Sequence, residues 1–336
     1  MTTASTIFDE NLLSVVNTTT QVEPSVTPLV SYRIYNIISL INDHLLTCPI
    51  SFFGIFTNSA NIAVFLKMGF AESTNISFFA LSVIDLLVSL YTLIGKLLYS
   101  PVLFRLHGNF KAIDGGRGMT SIIFATSGVG GWVTTIISLE RCFCIMFPLK
   151  VKTIITRRRI VLLILVMTVY QATFACLIYA QTGPPYHQHS EKRIIYLLCS
   201  LTGPSFICFV IVVIATTFLV IKLKQTMKMR SQIASQSDKA MSKERKVVRP
   251  VIFICVIFIV CFLPNVAKLL GTIVFPRLTP TDPYFGSLSN VLYTFTFIFQ
   301  SISSSINIFV YYHMSSKFKE TFGSLFCQID VNTGGK

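Results

Sequence analysis

The sequence is short of charge, and of acid above all. Only 12% of its 336 residues are Asp, Glu, Lys or Arg, with 28 basic and 14 acidic, against about 25% charged in soluble domains. With 52% hydrophobic residues and a mean hydropathy of +0.68, that scarcity excludes an ordinary soluble globule and points to a membrane protein. The nine cysteines show no CxxC spacing beside histidine, which counts against a zinc site. Most stand in apolar runs, where Cys behaves as a small hydrophobe. Residues 1–30 lack a basic n-region and a compact apolar core, so no cleavable signal peptide is read. None of the five histidines lies deep in an apolar run, and no nucleophile stands there beside a base, so an intramembrane enzyme is not expected. No internal repeat is visible, which counts against a seven-span transporter or channel.

What is present is a series of long apolar runs. Crossing a bilayer takes about 20 mainly apolar residues in a helix. Seven runs qualify: Leu46–Leu66, Ile76–Leu98, Met119–Met146, Ile160–Ala180, Ile195–Ile221, Val248–Val274 and Leu288–Tyr312. The segment Tyr32–Leu45, with Asn36, Asn42, Asp43 and His44, reads as too polar to span and as an approach segment on the outer surface. The loops after spans one, three and five, and the tail, hold most of the Lys and Arg. That bias places them inside and the N-terminus outside. The net charge of +14 is thereby a topology signal, and nucleic acid drops out as a partner. Residues 1–45 are then an extracellular tail, 46–312 the seven-helix domain in the lipid bilayer, and 313–336 a cytoplasmic helix and tail. Asn17 in Asn17-Thr18-Thr19 is a glycosylation acceptor on the outer side, whereas Asn75-Ile76-Ser77 sits at a span edge and reads as fortuitous.

Polar residues inside spans are costly and mark functional sites by default. Asp85 in "LSVIDLLVSL" is such a residue: either a carboxyl tied up by neighbouring hydroxyls or an ion-binding or switching group. Glu140 and Arg141 stand at the inner end of span three, and Glu244 at the inner start of span six. An Arg trading partners between those acids is a bistable element; an interfacial ion pair is the plainer reading. Pro264 interrupts span six, with Phe262 and Phe258 before it, so a hinge carrying stacked aromatics is expected. Span seven holds Ser303, Ser304, Ser305 and Asn307, a patch that also suits helix-to-helix adhesion. After Tyr311 and Tyr312, the residues Phe318, Phe322 and Phe326 repeat every four. They make a short amphipathic helix on the inner surface, and Cys327 after it is a palmitoylation candidate.

In this order these segments resemble the rhodopsin-like (class A) G-protein-coupled receptors, over nearly all of Phe53–Cys327. "NSANIAVF" resembles the first-span motif, with Asn61 as key residue, and "NISFFALSVIDLL" the second, with Asp85 at the sodium-site position. "ERCFCIMFPL" is similar to the Asp/Glu-Arg-Tyr motif, "FIVCFLP" to the sixth-span motif with Phe262 where Trp is commoner, and "NIFVYY" to Asn-Pro-x-x-Tyr with Ile308 for Pro. The resemblance implies a seven-transmembrane bundle with an eighth helix, no enzymatic activity, a plasma-membrane location and a heterotrimeric G protein as partner. It implies that Arg141, held by Glu140 and Glu244, is the switch, and that Arg141 and Tyr311 hold the open form. The cofactor it allows is an allosteric sodium ion at Asp85, Ser304 and Asn307, although Gly130 stands where a hydroxyl is usual. No Cys lies between Cys48 and Cys142, so the family's usual outer disulfide cannot form; a Cys48–Cys199 pair is left open.

The ligand is narrowed by exclusion. Ile123 stands where amine receptors carry an acid, and Ser301 where opsins carry the retinal lysine. The expected pocket lining is Lys96, Ile123, Phe124, Ser127, Asn265, Lys268, Leu269, Phe297 and Ser301. Lys96 and Lys268 either receive an acidic group or snorkel towards headgroups. The "SSSIN" seventh span resembles invertebrate neuropeptide receptors, and the first two spans resemble expanded invertebrate chemosensory receptors. A peptide ligand is favoured, with a small and acidic chemical cue as the alternative.

Overall fold

In the computed structural model, the described residues are 27–98, 111–147, 150, 153, 155–180, 203–231, 238–280 and 282–326. Within these, side chains are undescribed at 111–117, 178–180, 223, 226–231, 238–250 and 314. Asn17, Cys199 and Cys327 lie outside the described residues, as does the side chain of Glu244. Among the described residues the secondary structure is entirely helical. The helices are α1 (Tyr32–Met68), α2 (Ser73–Leu98), α3 (Lys111–Met146), α4 (Arg157–Ala180), α5 (Gly203–Ser231), α6 (Asp238–Val274), α7 (Gly286–Met314) and α8 (Ser316–Phe326). They form a seven-helix membrane bundle with a short C-terminal helix against it.

Helices α1 to α6 are each long and apolar enough to cross a membrane. Helix α7 has the length, at 29 residues, but its hydroxyl and amide residues dilute its apolar character. It packs along α1, α2 and α6, and Ser301, Ser304, Ser305 and Asn307 are buried there. Helix α3 runs through the middle and touches α2, α4, α5 and α6. The apolar core sits on its inner half, where Val133 and Ile137 meet Val212 and Leu219 of α5 and Val251 and Cys255 of α6, all six wholly buried. Helix α4 instead presents Leu162, Leu165 and Val169 outward, as lipid contact requires.

The outer end of α1 corrects the expectation for Tyr32–Leu45. This segment is no separate approach: it continues the first spanning helix outward by way of a π-helical stretch, Leu40–Thr47. Ser31 caps the start by accepting from the Ile34 N–H. The wider π turns alter the register, and Asn42 and Asp43 end up buried against the bundle. At the inner end, Gly69 takes φ 75° and returns its N–H to Phe65 O, which suits a residue without Cβ. Asn75 donates to Gly69 O at 3.0 Å and is buried, so its sequon serves the turn.

Candidate functional site

The middle of the bundle is polar along one seam. Asn307 of α7 donates to Asp85 Oδ2 of α2 at 2.8 Å, both buried. Asp85 also borders a small cavity with Ser127, Gly130, Thr134, Ser303 and Asn307, closed from the α6 side by Phe258 and Phe262. Those two rings stack, with centroids 4.8 Å apart and planes at 16°. The centre of a water-sized sphere has about 20 Å³ to move in, enough for one small guest. The buried Ser127 hydroxyl facing this region makes no hydrogen bond, so an oxygen donor is available beside the carboxylate. Ser304 does not face this cavity. Its hydroxyl shares a hydrogen bond with Ser89 at 3.3 Å and donates to Ser301 O, while its neighbour Ser303 lines the cavity.

Helices α1 and α7 are joined by a second set of contacts. Asn58 donates to Gly54 O and to Ser304 O at 2.9 and 2.7 Å. Thr57 donates to Ser305 O, Ser305 to Ile50 O, and Ser51 pairs with Ser301 at 3.0 Å. Asn61, by contrast, reaches only Asn58 Oδ1, at 3.5 Å. Asn58, one turn before Asn61, was not read from the sequence; its spacing on the same helical face was the available signal. Ser301 is turned to α1 and so does not join the outer pocket.

At the inner end Glu140 and Arg141 are both buried. Residues adjacent in a helix do not face each other, and the guanidinium stands 3.7 Å from Glu140. The Glu140 carboxylate is taken up by α2: Ser73 donates to it at 2.5 Å, Thr74 at 3.2 Å and Ser77 at 3.5 Å. Hydroxyls at the inner start of α2, unread in the sequence, therefore hold the acid. Arg141 Nε and Nη2 make no hydrogen bond. Tyr311 is buried in an aromatic cluster with Phe65, Phe78 and Phe318, which ties α7 and α8 to α1 and α2.

At the outer end the two lysines enter one cluster. Lys96 Nζ lies 4.0 Å over the Phe297 ring, and Lys268 Nζ 3.3 Å over Tyr293. Phe124 sits 5.4 Å from Phe297 and 6.1 Å from Tyr293, ring to ring. Lys96 is also paired with Asp43 at 2.8 Å, a partner that the sequence reading, open between an acidic ligand and the headgroups, did not name. Ile123 is buried, next to the Gly95 and Met119 contact. Asn265 and Leu269 are half-buried on α6. Beyond the helices, Asp282 accepts from the Phe285 and Tyr284 N–H groups and from Arg277. Those donors, Phe285 foremost, hold its carboxyl below the usual range. The Leu29 N–H donates to Tyr284 O, which fastens the segment before α1 to this loop.

Cys48 is a buried free thiol. Among the described residues no group of His, Cys, Asp and Glu has the makings of a metal centre of three or more ligands. None of the curated proteins compared matches the chain. The model of the family "7 transmembrane receptor (rhodopsin family)" matches residues 60–311, which run from α1, just before Asn61, to Tyr311. With seven helices in this arrangement and that match across most of its length, the chain belongs to the rhodopsin family of seven-transmembrane receptors.

Proposed function

We propose that the chain is a plasma-membrane receptor that binds an extracellular ligand and activates a heterotrimeric G protein. The observation that carries this reading is Arg141, a buried guanidinium with nitrogens left unbonded while α2 hydroxyls engage its neighbouring acid. A buried charge so poorly satisfied is costly, and motion that brings it a better partner is favoured. In the open form α6 moves about Pro264, and a G-protein helix enters beside Arg141. The stacked Phe258 and Phe262 link that motion to the Asp85 cavity. There Asp85 and Ser127 would hold a small hard cation such as sodium, which supplies charge balance for the carboxylate. Agonist shifts the balance only by binding the open form better. A peptide is the preferred ligand. A small acidic cue is the second reading, favoured by the Lys96 and Lys268 cluster.

The test is nucleotide exchange on G proteins in membranes carrying the chain, with tissue and environmental extracts applied before and after protease. Stimulation that Arg141→Ala removes at equal surface expression supports the reading; exchange indifferent to Arg141 refutes it. Activity destroyed by protease selects the peptide, and activity that survives selects the small cue.

A further inference from the structure

The outer cluster contains a carboxylate already seated on Lys96, one of the residues expected to line the ligand pocket. Asp43 reaches Lys96 from the π-helical stretch of α1. Both side chains are largely buried, with 16% and 10% of the Lys96 and Asp43 side chains exposed. Two features mark this pair as something other than a plain strut. First, Asp43 Oδ1 lies 2.8 Å from Nζ yet makes no aligned hydrogen bond. Its direction is set by the backbone of α1 and by Ser39, which donates to the other oxygen at 2.9 Å. A carboxylate free to orient would bond the ammonium better. Second, the segment bearing it is a π-helix of eight residues, a geometry that is rare over such a length. The stretch is tied to α7 by Asn42, which donates to Thr294 Oγ1 at 2.9 Å, and it meets α2 through the Asp43–Lys96 pair.

We propose that Lys96 is the anion subsite of the ligand cleft, and that Asp43 is a built-in counter-ion which the carboxylate of an acidic ligand replaces. The ligand's apolar body lies along Phe297 and Phe124, and Tyr293 with Lys268 closes the far end four residues away, about 6 Å along α7. The exchange is electroneutral at Lys96. One carboxylate leaves as another arrives, so the largely buried ammonium is never stranded. The displaced Asp43 moves outward to water, and the π stretch loses its tie to α2. Ligand binding is thus linked to release of the outer end of α1 from α2. The signalling consequence rests on the receptor reading above; the binding step does not.

The probes are phenylacetate and its neutral isostere phenylacetamide, added to the full chain in lipid nanodiscs without G protein. Binding is read by thermal unfolding and by hydrogen exchange over residues 32–47. Phenylacetate is expected to bind better than phenylacetamide and to speed exchange in that segment. Asp43→Asn removes the competitor and is expected to tighten phenylacetate by about tenfold, the scale of one charge-assisted hydrogen bond. Lys96→Met is expected to abolish the preference for the acid. Equal binding of the two probes, binding by neither, or an Asp43→Asn affinity equal to the parent's would each overturn the proposal. If Asp43→Asn does not fold, the double exchange Asp43→Lys with Lys96→Asp keeps the pair and must lose phenylacetate; retained binding overturns it. Because no G protein is present, failure of coupling shows separately, as absent nucleotide exchange.

Discussion

Replacing Gly54 by alanine tests how tightly α1 closes on α2 and α7. A Cβ at Gly54 would fall within contact-violating range of the Ser305 and Ser89 hydroxyls, and 3.2 Å from Ser89 Cβ. Hydroxyls can rotate, but both are engaged. Ser305 donates to Ile50 O and Ser301 O, at 3.0 and 2.7 Å, and Ser89 shares its hydrogen bond with Ser304. Interhelical hydrogen bonds in membranes average about 0.6 kcal/mol, so losing two costs about 1 kcal/mol. Overpacking adds about 1–3 kcal/mol, and the better helix propensity of Ala returns about 1 kcal/mol. The expected net loss is about 1–3 kcal/mol. Gly130→Ala is the control, since a Cβ there meets only Ile84 Cγ2, at 3.5 Å. It should be neutral or slightly stabilising. The buried free thiols of Cys142, Cys208 and Cys255 supply the assay: a thiol-reactive fluorogenic dye reports unfolding of the detergent-solubilised chain as temperature rises. If Gly54→Ala melts no lower than Gly130→Ala, the close approach of these helices is wrong.

Three other outcomes are expected. Ser73→Ala combined with Thr74→Ala strips two hydroxyls from Glu140 and should raise basal nucleotide exchange about 5- to 30-fold, for a shift of about 1–2 kcal/mol; unchanged basal exchange at equal expression refutes the hold. Glu244→Ala should also raise basal exchange, as the sequence argument for an Arg141 lock requires, and an unaltered baseline removes Glu244 from the switch. In the outer loop, the lowered pKa of Asp282 means its stabilisation is full above the ordinary value of 3.8 and is lost as pH falls through the lower folded value. Amide exchange at Tyr284 and Phe285 should accelerate across that acid window, and should be fast at neutral pH in Asp282→Ala.

The spans were legible in the sequence because lipid demands long apolar runs, and the family match follows the motifs within them. The meeting of Asp85 with Asn307 was legible only through the family resemblance, which puts both at one sodium site; as single polar residues in two spans they named no partner for each other. The finer aim of side chains was not. Ser303, Ser304 and Ser305 are consecutive, and at 3.6 residues per turn they point in three directions. Only packing decides that Ser303 lines the cavity while Ser304 meets Ser89 and Ser305 meets α1. Asp43 was hidden for a different reason: polar residues near a membrane edge read as exposed, and a π-helical register leaves no periodic signal. The partners of Glu140 were missed because a Ser-Thr pair before a span looks like an ordinary helix start.

The serine-rich character of α7 bears on how the chain is made. Synthesis delivers α7 last of the spanning helices, and alone it is a poor substrate for partition into lipid, since each unpaired amide or hydroxyl resists entry. Its partners Ser51, Asn58, Ser89 and Asp85 lie on α1 and α2, which have by then waited in the bilayer without the contacts that α7 supplies. Integration of α7 is therefore a templated step, in which the first two helices act as the mould. Chains ending before Gly286 would leave the Asp85 carboxylate without the Asn307 amide, and Ser51 and Ser89 without Ser301 and Ser304.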